Sequence, residues 1–389
     1  MNIVQQGVII LLKAAVTGEA EKLPPEFDIA EAQRLMKCHH VSPLLYEGAL
    51  RCGISAQDET MRILFRKYCR ALQTSEGQMR EVRKICAAFD ENGIDYLPLK
   101  GCRLKAIYPH PELRTMGDAD ILIRLEQRNR IAPLMERLGF REGGETDHEL
   151  VWNSDALHLE LHKHLIPSYN KDLYGYFGTG WQRAVPVGGG CHSLSKEDEF
   201  IFLFTHFSKH FRDGGIGCRH VVDLWMYLRA FGEPDREYVH AELEKIGLAE
   251  FYGNIRVLLD VWFGGAAWDE KTELISGRIF ASDSFGQDRM RTMAHILRDS
   301  RTGGEHKNGR MVYLWQTAFP DAATLRKKYP VLKKAPWMLP AVWVYRPFYK
   351  VIHERKTLKK QKDHLEALSG ENLDAYQQML RYVGLDFRF

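Results

Sequence analysis

Asp118 and Asp120 are separated by one small residue in the segment LKGCRLKAIYPHPELRTMGDADILI, residues 99–123. Because a β-strand alternates its side chains, both carboxylates would leave a strand on the same face, close enough to share two divalent cations. Such a pair of cations suits phosphoryl transfer, in which it binds the attacking and leaving oxygens. A solvated turn can carry the same two acids, so further ligands have to complete the site.

Glu160 is the candidate for the third metal-binding carboxylate. It lies in ALHLELHKHL, where polar residues alternate with apolar ones as in a strand with one buried face. A neighbouring strand of the same sheet would bring Glu160 to the two aspartates. Ordinary sheet surface shows the same alternation, and that interpretation stays open at this point.

The segment before the aspartates offers groups that bind phosphate. IDYLPLKG is typical of a strand that stops at a glycine, and CRLKAIY of a short helix. Backbone N–H groups at Gly101 would then face a triphosphate, and Cys102 is small enough to allow close approach. Lys100 and Arg114 would add charge-assisted contacts. Alternatively, Lys100 is a surface lysine and Arg114 pairs with an acid to hold its loop.

Further along the chain, His206 and His210 stand four residues apart on a predicted helix. This spacing can bind zinc, but the glutamate of an H-E-x-x-H motif and a clear third ligand are missing. We therefore expect the two histidines to line a cleft. Arg219 and Asp223 have the same spacing, which favours an ion pair within the helix or between domains.

The elements that position these residues follow from hydrophobic periodicity. Residues 1–92 are predicted to be helical, and residues 93–190 to alternate as strand, helix, strand, helix, strand, strand. Residues 191–389 are predicted to be helical again, with a capping pattern at Ser195. The aromatic stretch 336–352, interrupted by prolines, is interpreted as a helix pair packed on the core. The sequence therefore predicts an α+β fold with three domains.

Composition excludes several classes of protein. With 54 basic and 51 acidic residues and 45% hydrophobic residues, the chain is globular and has no clear nucleic-acid footprint. Seven scattered cysteines without a C-x-x-C motif favour reduced thiols. The N-terminal segment lacks the features of a signal peptide, and its apolar run is too short for a transmembrane segment, so we expect a cytoplasmic protein.

Taken in order along the chain, these motifs resemble the pattern of a known protein family. LPLKGCRLKAIYPHPELRTMGDADILI followed by LHLELH resembles the bacterial nucleotidyltransferase-like family of the DNA polymerase β superfamily, with L-K-G, Y-P, R, D-x-D and acid-L-H in sequence. THFSKHFRDGGIGCRHVVDL is similar to the helical part of that family. The resemblance covers about residues 30–230. Gly101-Cys102 departs from the usual Gly-Ser or Gly-Gly pair, and this removes a hydroxyl that would touch phosphate.

The resemblance implies a small mixed nucleotidyltransferase sheet, flanked by N-terminal and C-terminal helical domains. It also implies Mg²⁺ or Mn²⁺ as cofactor and a nucleoside triphosphate as substrate. Asp118, Asp120 and Glu160 would be the catalytic metal ligands. The nucleotide would be held by a larger set of residues: Lys100, Gly101, Cys102, Arg114, His206 and His210.

We therefore predict a nucleotidyltransferase that moves a nucleoside monophosphate from the triphosphate to an unidentified acceptor. One alternative is a metal-dependent glycosyltransferase, whose D-x-D motif binds a nucleotide sugar, but it requires an α/β nucleotide-binding half where residues 1–90 are predicted to be helical. The other alternative is a degenerate nucleotidyltransferase fold that acts as a binding or regulatory module, which the Cys102 departure favours.

Overall fold

The structure is a computed structural model. It describes residues 1–168, 170–282, 292–294, 296–297, 315, 319–320, 325, 329, 331–353 and 370–385. Within these residues the strands are β1 (Tyr96–Pro98), β2 (Ala119–Ile123), β3 (Arg141–Glu145), β4 (Glu149–Asn153), β5 (His158–His162), β6 (Ala184–Gly188) and β7 (Cys191–Leu194).

The helices fall before, between and after these strands. They are α1 (Ile3–Thr17), α2 (Ile29–Leu35), α3 (Ser42–Arg51), α4 (Glu59–Glu91), α5 (Gly101–Leu104), α6 (Arg128–Arg137), α7 (Lys171–Phe177), α8 (Lys196–Asp213), α9 (Cys218–Phe231), α10 (Arg236–Lys245), α11 (Ala249–Leu259), α12 (Glu270–Phe280), α13 (Val331–Lys334), α14 (Leu339–His353) and α15 (Gly370–Tyr382).

One mixed sheet joins all seven strands in the order β3-β4-β5-β2-β1-β7-β6. Strand β2 pairs in parallel with β5 and antiparallel with β1, and β4 pairs antiparallel with β5. The register of β2 and β5 places Asp120 directly beside Glu160. The topology therefore brings together two carboxylates that are far apart in the sequence.

The two faces of the sheet differ because the strand residues alternate. One face carries buried apolar residues such as Ile121, Leu159 and Leu161, and these pack with apolar residues of α4 and α6. Burying this face provides the main stabilisation of the sheet. The residues between them, including Asp120 and Glu160, point to the opposite face. The polar groups of the central strands are thus collected on one side.

Helix α4 supports the loop that leads to the aspartates. Asp58 caps the N-terminus of the helix, and its side chain accepts hydrogen bonds from two backbone N–H groups of the first turn. Further along, the buried side chain of Gln78 donates to the backbone oxygen of Met116 at 2.9 Å, and Tyr68 donates to Glu112 at 2.7 Å. These contacts fix the chain immediately before Asp118.

The predicted helices of residues 1–92 are confirmed, and so are the predicted strands that contain Asp120 and Glu160. Strands β3, β6 and β7 and helix α7 were not predicted. Helix α6 continues through Pro133, which lies inside it. Residues 1–95 contain helices only, so the α/β half that a glycosyltransferase requires before its D-x-D motif is missing there.

The chain divides into two compact units. The first comprises Met1–Phe211, Ile216–Asp283 and Val383–Phe389, and the second comprises Arg212–Gly215 and Ser284–Tyr382. The sheet lies in the first unit. The division into 1–92, 93–190 and 191–389 stays a prediction.

In the second unit, the aromatic stretch forms a short 3-10 turn at Pro336–Met338 followed by α14. The expected pair of helices is therefore wrong: Pro340 lies in the first turn of α14, where proline is tolerated, and α14 continues past Pro347. Among the helices that the structure describes, none combines the length and the apolar character that a membrane span requires. All seven cysteines are free, as predicted.

Candidate functional site

Asp120 lies at the centre of the polar face and is buried. Its Oδ1 accepts hydrogen bonds from Lys100 Nζ at 2.8 Å and from His162 Nε2 at 2.7 Å. Burial alone would raise the pKa of Asp120, but the neighbouring ammonium and imidazole outweigh it and lower the pKa below its usual range. The carboxylate is therefore charged and held in a fixed orientation.

Lys100 reaches Asp120 from a strained turn between β1 and α5. Its backbone has φ +42°, a region that residues with a side chain rarely adopt. Leu99, the preceding residue, donates its N–H to the backbone oxygen of Asp120 at 2.9 Å, which extends the pairing of β1 with β2. The sheet thus holds the turn in place and directs the ammonium to the carboxylate.

Gly101 is required by close packing. A Cβ atom at this position would lie 2.5 Å from Met116 Sδ and 2.7 Å from Arg114 Nη1. Cys102 is buried, and its N–H donates to the oxygen of Leu99 at 3.0 Å. Gly101 and Cys102 therefore shape the turn, and their contact with a triphosphate stays a prediction.

Glu160 lies beside Asp120 and close to His162. The His162 Nε2 atom is 3.6 Å from Glu160 Oε2, and the proximity of this imidazole lowers the pKa of Glu160. Although burial lowers the pKa of His162, Asp120 and Glu160 raise it overall. One ligand atom from each of Asp120, Glu160 and His162 lies within 4.8 Å of the others, a spacing at which one cation can reach all three.

Asp118 lies one residue before β2 and is exposed. The two aspartates are thus not both strand residues, as the D-x-D argument assumed. Partial desolvation and the negative charge of Asp120 raise the pKa of Asp118. A carboxylate whose proton affinity is raised by a second carboxylate is a good partner for an added cation. Its role as a metal ligand stays a prediction.

Arg114 forms a buried ion pair with Asp223 of α9. Its Nε and Nη2 atoms donate to the two carboxylate oxygens at 2.9 and 3.0 Å, and Tyr108 donates to the same carboxylate at 2.7 Å. Burial opposes the charge on Arg114, but Asp223 raises its pKa overall. The alternative in which Arg114 pairs with an acid is therefore confirmed, and its contact with phosphate stays a prediction.

Arg219 was expected to form an ion pair with Asp223, but Asp223 pairs with Arg114 instead. Arg219 donates from Nη1 to the backbone oxygen of Thr115 at 2.9 Å, while its buried Nε atom finds no hydrogen-bond partner within the described part of the chain. Burial and the positive charge of Arg114 lower its pKa, whereas Asp118 acts in the opposite direction. Arg219 is thus a cation that interacts electrostatically with Asp118, and a role for it in binding nucleotide or acceptor stays a prediction.

His206 and His210 lie together on α8 with ring centres 4.4 Å apart, and His220 of α9 lies about 6 Å from both. Burial, His210 and the ammonium of Lys100 lower the pKa of His206 far below its usual value. That these two histidines line a cleft and hold the nucleotide stays a prediction.

His148 and Glu149 are the other residues of this region that sequence reasoning missed. Glu149 begins β4 and is paired with His162 in the register of β4 and β5. The alternation of polar and apolar residues in ELVWNS predicted strand β4, but it could not predict that β4 pairs with β5. The structure therefore adds the carboxylate of Glu149 and the imidazole of His148 to the groups around His162.

A mixed sheet with carboxylates on adjacent central strands is typical of the nucleotidyltransferase class. A model of a family described as uncharacterised nucleotidyltransferase matches residues 25–264, more than half of the chain, and the chain belongs to this family. No curated protein matches the chain. A solution structure of the antibiotic-resistance factor ANT(2″)-Ia is similar, with 16% identity, a TM-score of 0.33, and coverage of 47% of this chain and 97% of that chain.

Proposed function

We propose that the protein is a metal-dependent nucleotidyltransferase that transfers a nucleoside monophosphate from a nucleoside triphosphate to an acceptor. The observation that carries the proposal is the register of β2 and β5, which sets Asp120 beside Glu160 with Lys100 and His162 in contact with Asp120. Membership of the nucleotidyltransferase family supports the same reaction class.

The carboxylates fit a magnesium or manganese ion. Asp120 and Glu160 supply oxygen atoms, which both ions prefer, and the exposed Asp118 stands next to them with a raised pKa. When bound, the ions would neutralise charge on the triphosphate and stabilise the attacking and leaving oxygens. We propose Asp118, Asp120 and Glu160 as the residues that hold them.

The neighbouring cations have separate tasks. His162 and Lys100 fix the orientation of the Asp120 carboxylate, and Lys100 remains available to a phosphate oxygen as a point charge. Arg219 has a donor without a partner in the described structure and lies near Asp118, so we propose that it binds the triphosphate. Arg114 keeps α9 against the turn instead.

The test is transfer of label from each of the four nucleoside triphosphates, with Mg²⁺ or Mn²⁺, together with binding of the triphosphates. We expect Asp118→Asn and Glu160→Gln to reduce transfer at least a hundredfold, because each removes a charge that meets the cations. Asp155→Asn is the matched control, since its side chain is 97% exposed in the turn before β5.

Two outcomes decide against transfer. If the wild-type protein binds none of the triphosphates with either metal, the proposal fails. If it binds a triphosphate without pyrophosphate release and without incorporation into any cellular fraction, the fold acts as a binding or regulatory module. Thermal unfolding of each variant establishes that the loss of activity does not reflect loss of the fold.

A further inference from the structure

The imidazole rings of two histidines are in contact through their nitrogen atoms on the polar side of the sheet. His162 Nδ1 lies 2.8 Å from His148 Nε2, with the rings nearly perpendicular. The other nitrogen of His162 donates to Asp120. Because the Asp120 carboxylate accepts a hydrogen bond from the N–H at Nε2, it orients the His162 ring with its Nδ1 atom towards His148. A carboxylate that orients a histidine in this way is the usual outer partner of a metal-binding imidazole.

Glu149 completes a group of three potential ligands with these histidines. One ligand atom from each of His148, Glu149 and His162 lies within 4.8 Å of the others. Glu149 and His162 are opposite each other in the register of β4 and β5, so the pairing of the strands places them side by side.

His148 has a ring nitrogen that is available to a ligand. Its Nε2 atom contacts His162, whereas its Nδ1 atom is buried and has no hydrogen-bond partner among the residues described. Buried polar atoms in folded proteins normally have a partner, so this nitrogen calls for one, and a metal ion would supply it.

We propose that His148, Glu149 and His162 bind a transition-metal ion of the Zn²⁺ type, beside the carboxylate site of Asp118, Asp120 and Glu160. Two imidazoles and one carboxylate are typical ligands of Zn²⁺, whereas Mg²⁺ prefers oxygen ligands only. The two sites meet at His162, whose Nδ1 faces the zinc-type site and whose Nε2 faces Asp120. Asp120 therefore contributes to the new site as a positioning residue.

Binding is measured on the full-length protein without nucleotide, by calorimetry with Zn²⁺ and with Mg²⁺. Visible absorption of bound Co²⁺ reports nitrogen ligation independently. We expect Zn²⁺ to bind to the wild type, and His148→Gln to weaken its affinity at least tenfold and to change the Co²⁺ spectrum. Glu149→Gln is the second variant, because its half-buried side chain is less critical for folding. His192→Gln is the matched control on β7 of the same sheet, where the ring nitrogen contacts the oxygen of Gly190 at 2.9 Å.

The proposal is overturned if the wild type binds no Zn²⁺. It is also overturned if both His148→Gln and Glu149→Gln bind Zn²⁺ as tightly as His192→Gln, because the ion would then be bound by residues outside this group. The experiment contains no triphosphate, so failure of the transferase reaction and failure of this metal site are separate results.

Discussion

The buried pair of Arg114 and Asp223 shows how one residue can have a structural task inside a candidate active site. Both side chains are nearly inaccessible, and Tyr108 supplies a third hydrogen bond. A buried ion pair is costly to desolvate, so its main consequence is geometric: it fixes the turn that carries Gly101 against α9. A substitution of Arg114 would therefore destabilise the fold, and any effect on nucleotide binding would be secondary to that.

Asp223→Asn is expected to lower the free energy of unfolding by about 3–5 kcal/mol, because it leaves the guanidinium of Arg114 buried without its counter-charge. Urea unfolding measures this change. The exposed Asp155→Asn control is expected to stay within about 0.5 kcal/mol of the wild type. A change below about 1 kcal/mol for Asp223→Asn would show that the pair is accessible to water in solution.

At the residue scale, local pattern predicts some contacts and not others. The alternation of LHLELH predicted that Glu160 lies on the polar face of a strand, and the D-x-D motif predicted the same for Asp120. Their proximity then required only the assumption that the two strands are neighbours in one sheet. Arg114 and Asp223 are 109 residues apart, and no local periodicity relates them. Their pairing depends on how α9 packs, which only the three-dimensional structure shows.

At the scale of elements, the segment between α5 and β2 is held by a buried lysine. Lys105 is 1% exposed, and its ammonium donates to Ser75 Oγ and to the backbone oxygens of Pro111 and Arg114 at 2.8–3.1 Å. Burial and the nearby guanidinium of Arg114 lower its pKa to about 8. The short helices of this segment are thus tied to α4 by a group that resists being charged.

This shift makes the stability of the protein depend on pH. In the unfolded chain Lys105 releases its proton near pH 10.5, but in the folded chain near pH 8. Between these values the unfolded state binds more protons, so the stability from this group rises with pH, by up to about 3 kcal/mol. Below pH 8 the lysine is protonated in both states and this contribution is absent.

Lys105→Met is expected to remove the increase in the free energy of unfolding between pH 8 and pH 10. The difference in unfolding free energy between wild type and Lys105→Met should increase from pH 8 to pH 10, when measured by urea unfolding at several pH values. Lys84→Met serves as control, because this exposed lysine of α4 donates only to the backbone oxygen of Leu138 and contacts Glu81. A constant difference across this range would mean that Lys105 titrates as an ordinary lysine.

Element types were predictable where the hydrophobic period is strong and unpredictable where it is weak. Helix α4 has a clear apolar stripe, and the central strands alternate, so both were predicted. Strand β3 has the sequence REGGE and is wholly exposed, and β6 contains Pro186. These outer strands form because a neighbour supplies hydrogen bonds to the backbone, and that information is not contained in their own side chains.

At the scale of the whole molecule, the chain returns to its first compact unit after the second. Val383 and Leu385 are completely buried, although they lie near the end of the sequence. Asn254 of α11 donates to the backbone oxygen of Val383 at 3.0 Å, and both residues belong to the first unit. The first unit therefore includes buried residues far outside the segment that matches the family model, 25–264.

Leu385→Ala is expected to destabilise the first unit by about 2–5 kcal/mol, because it removes buried methyl groups and leaves a cavity. Leu125→Ala is the matched control, since that leucine is 48% exposed in the same unit and should cost far less. Urea unfolding followed by tryptophan fluorescence measures both. Equal, small effects would show that the C-terminal segment is not part of the core. A large effect of Leu385→Ala alone would mean that a fragment restricted to residues 25–264 lacks part of the buried core of the first unit, so assays of metal and nucleotide binding require the full chain.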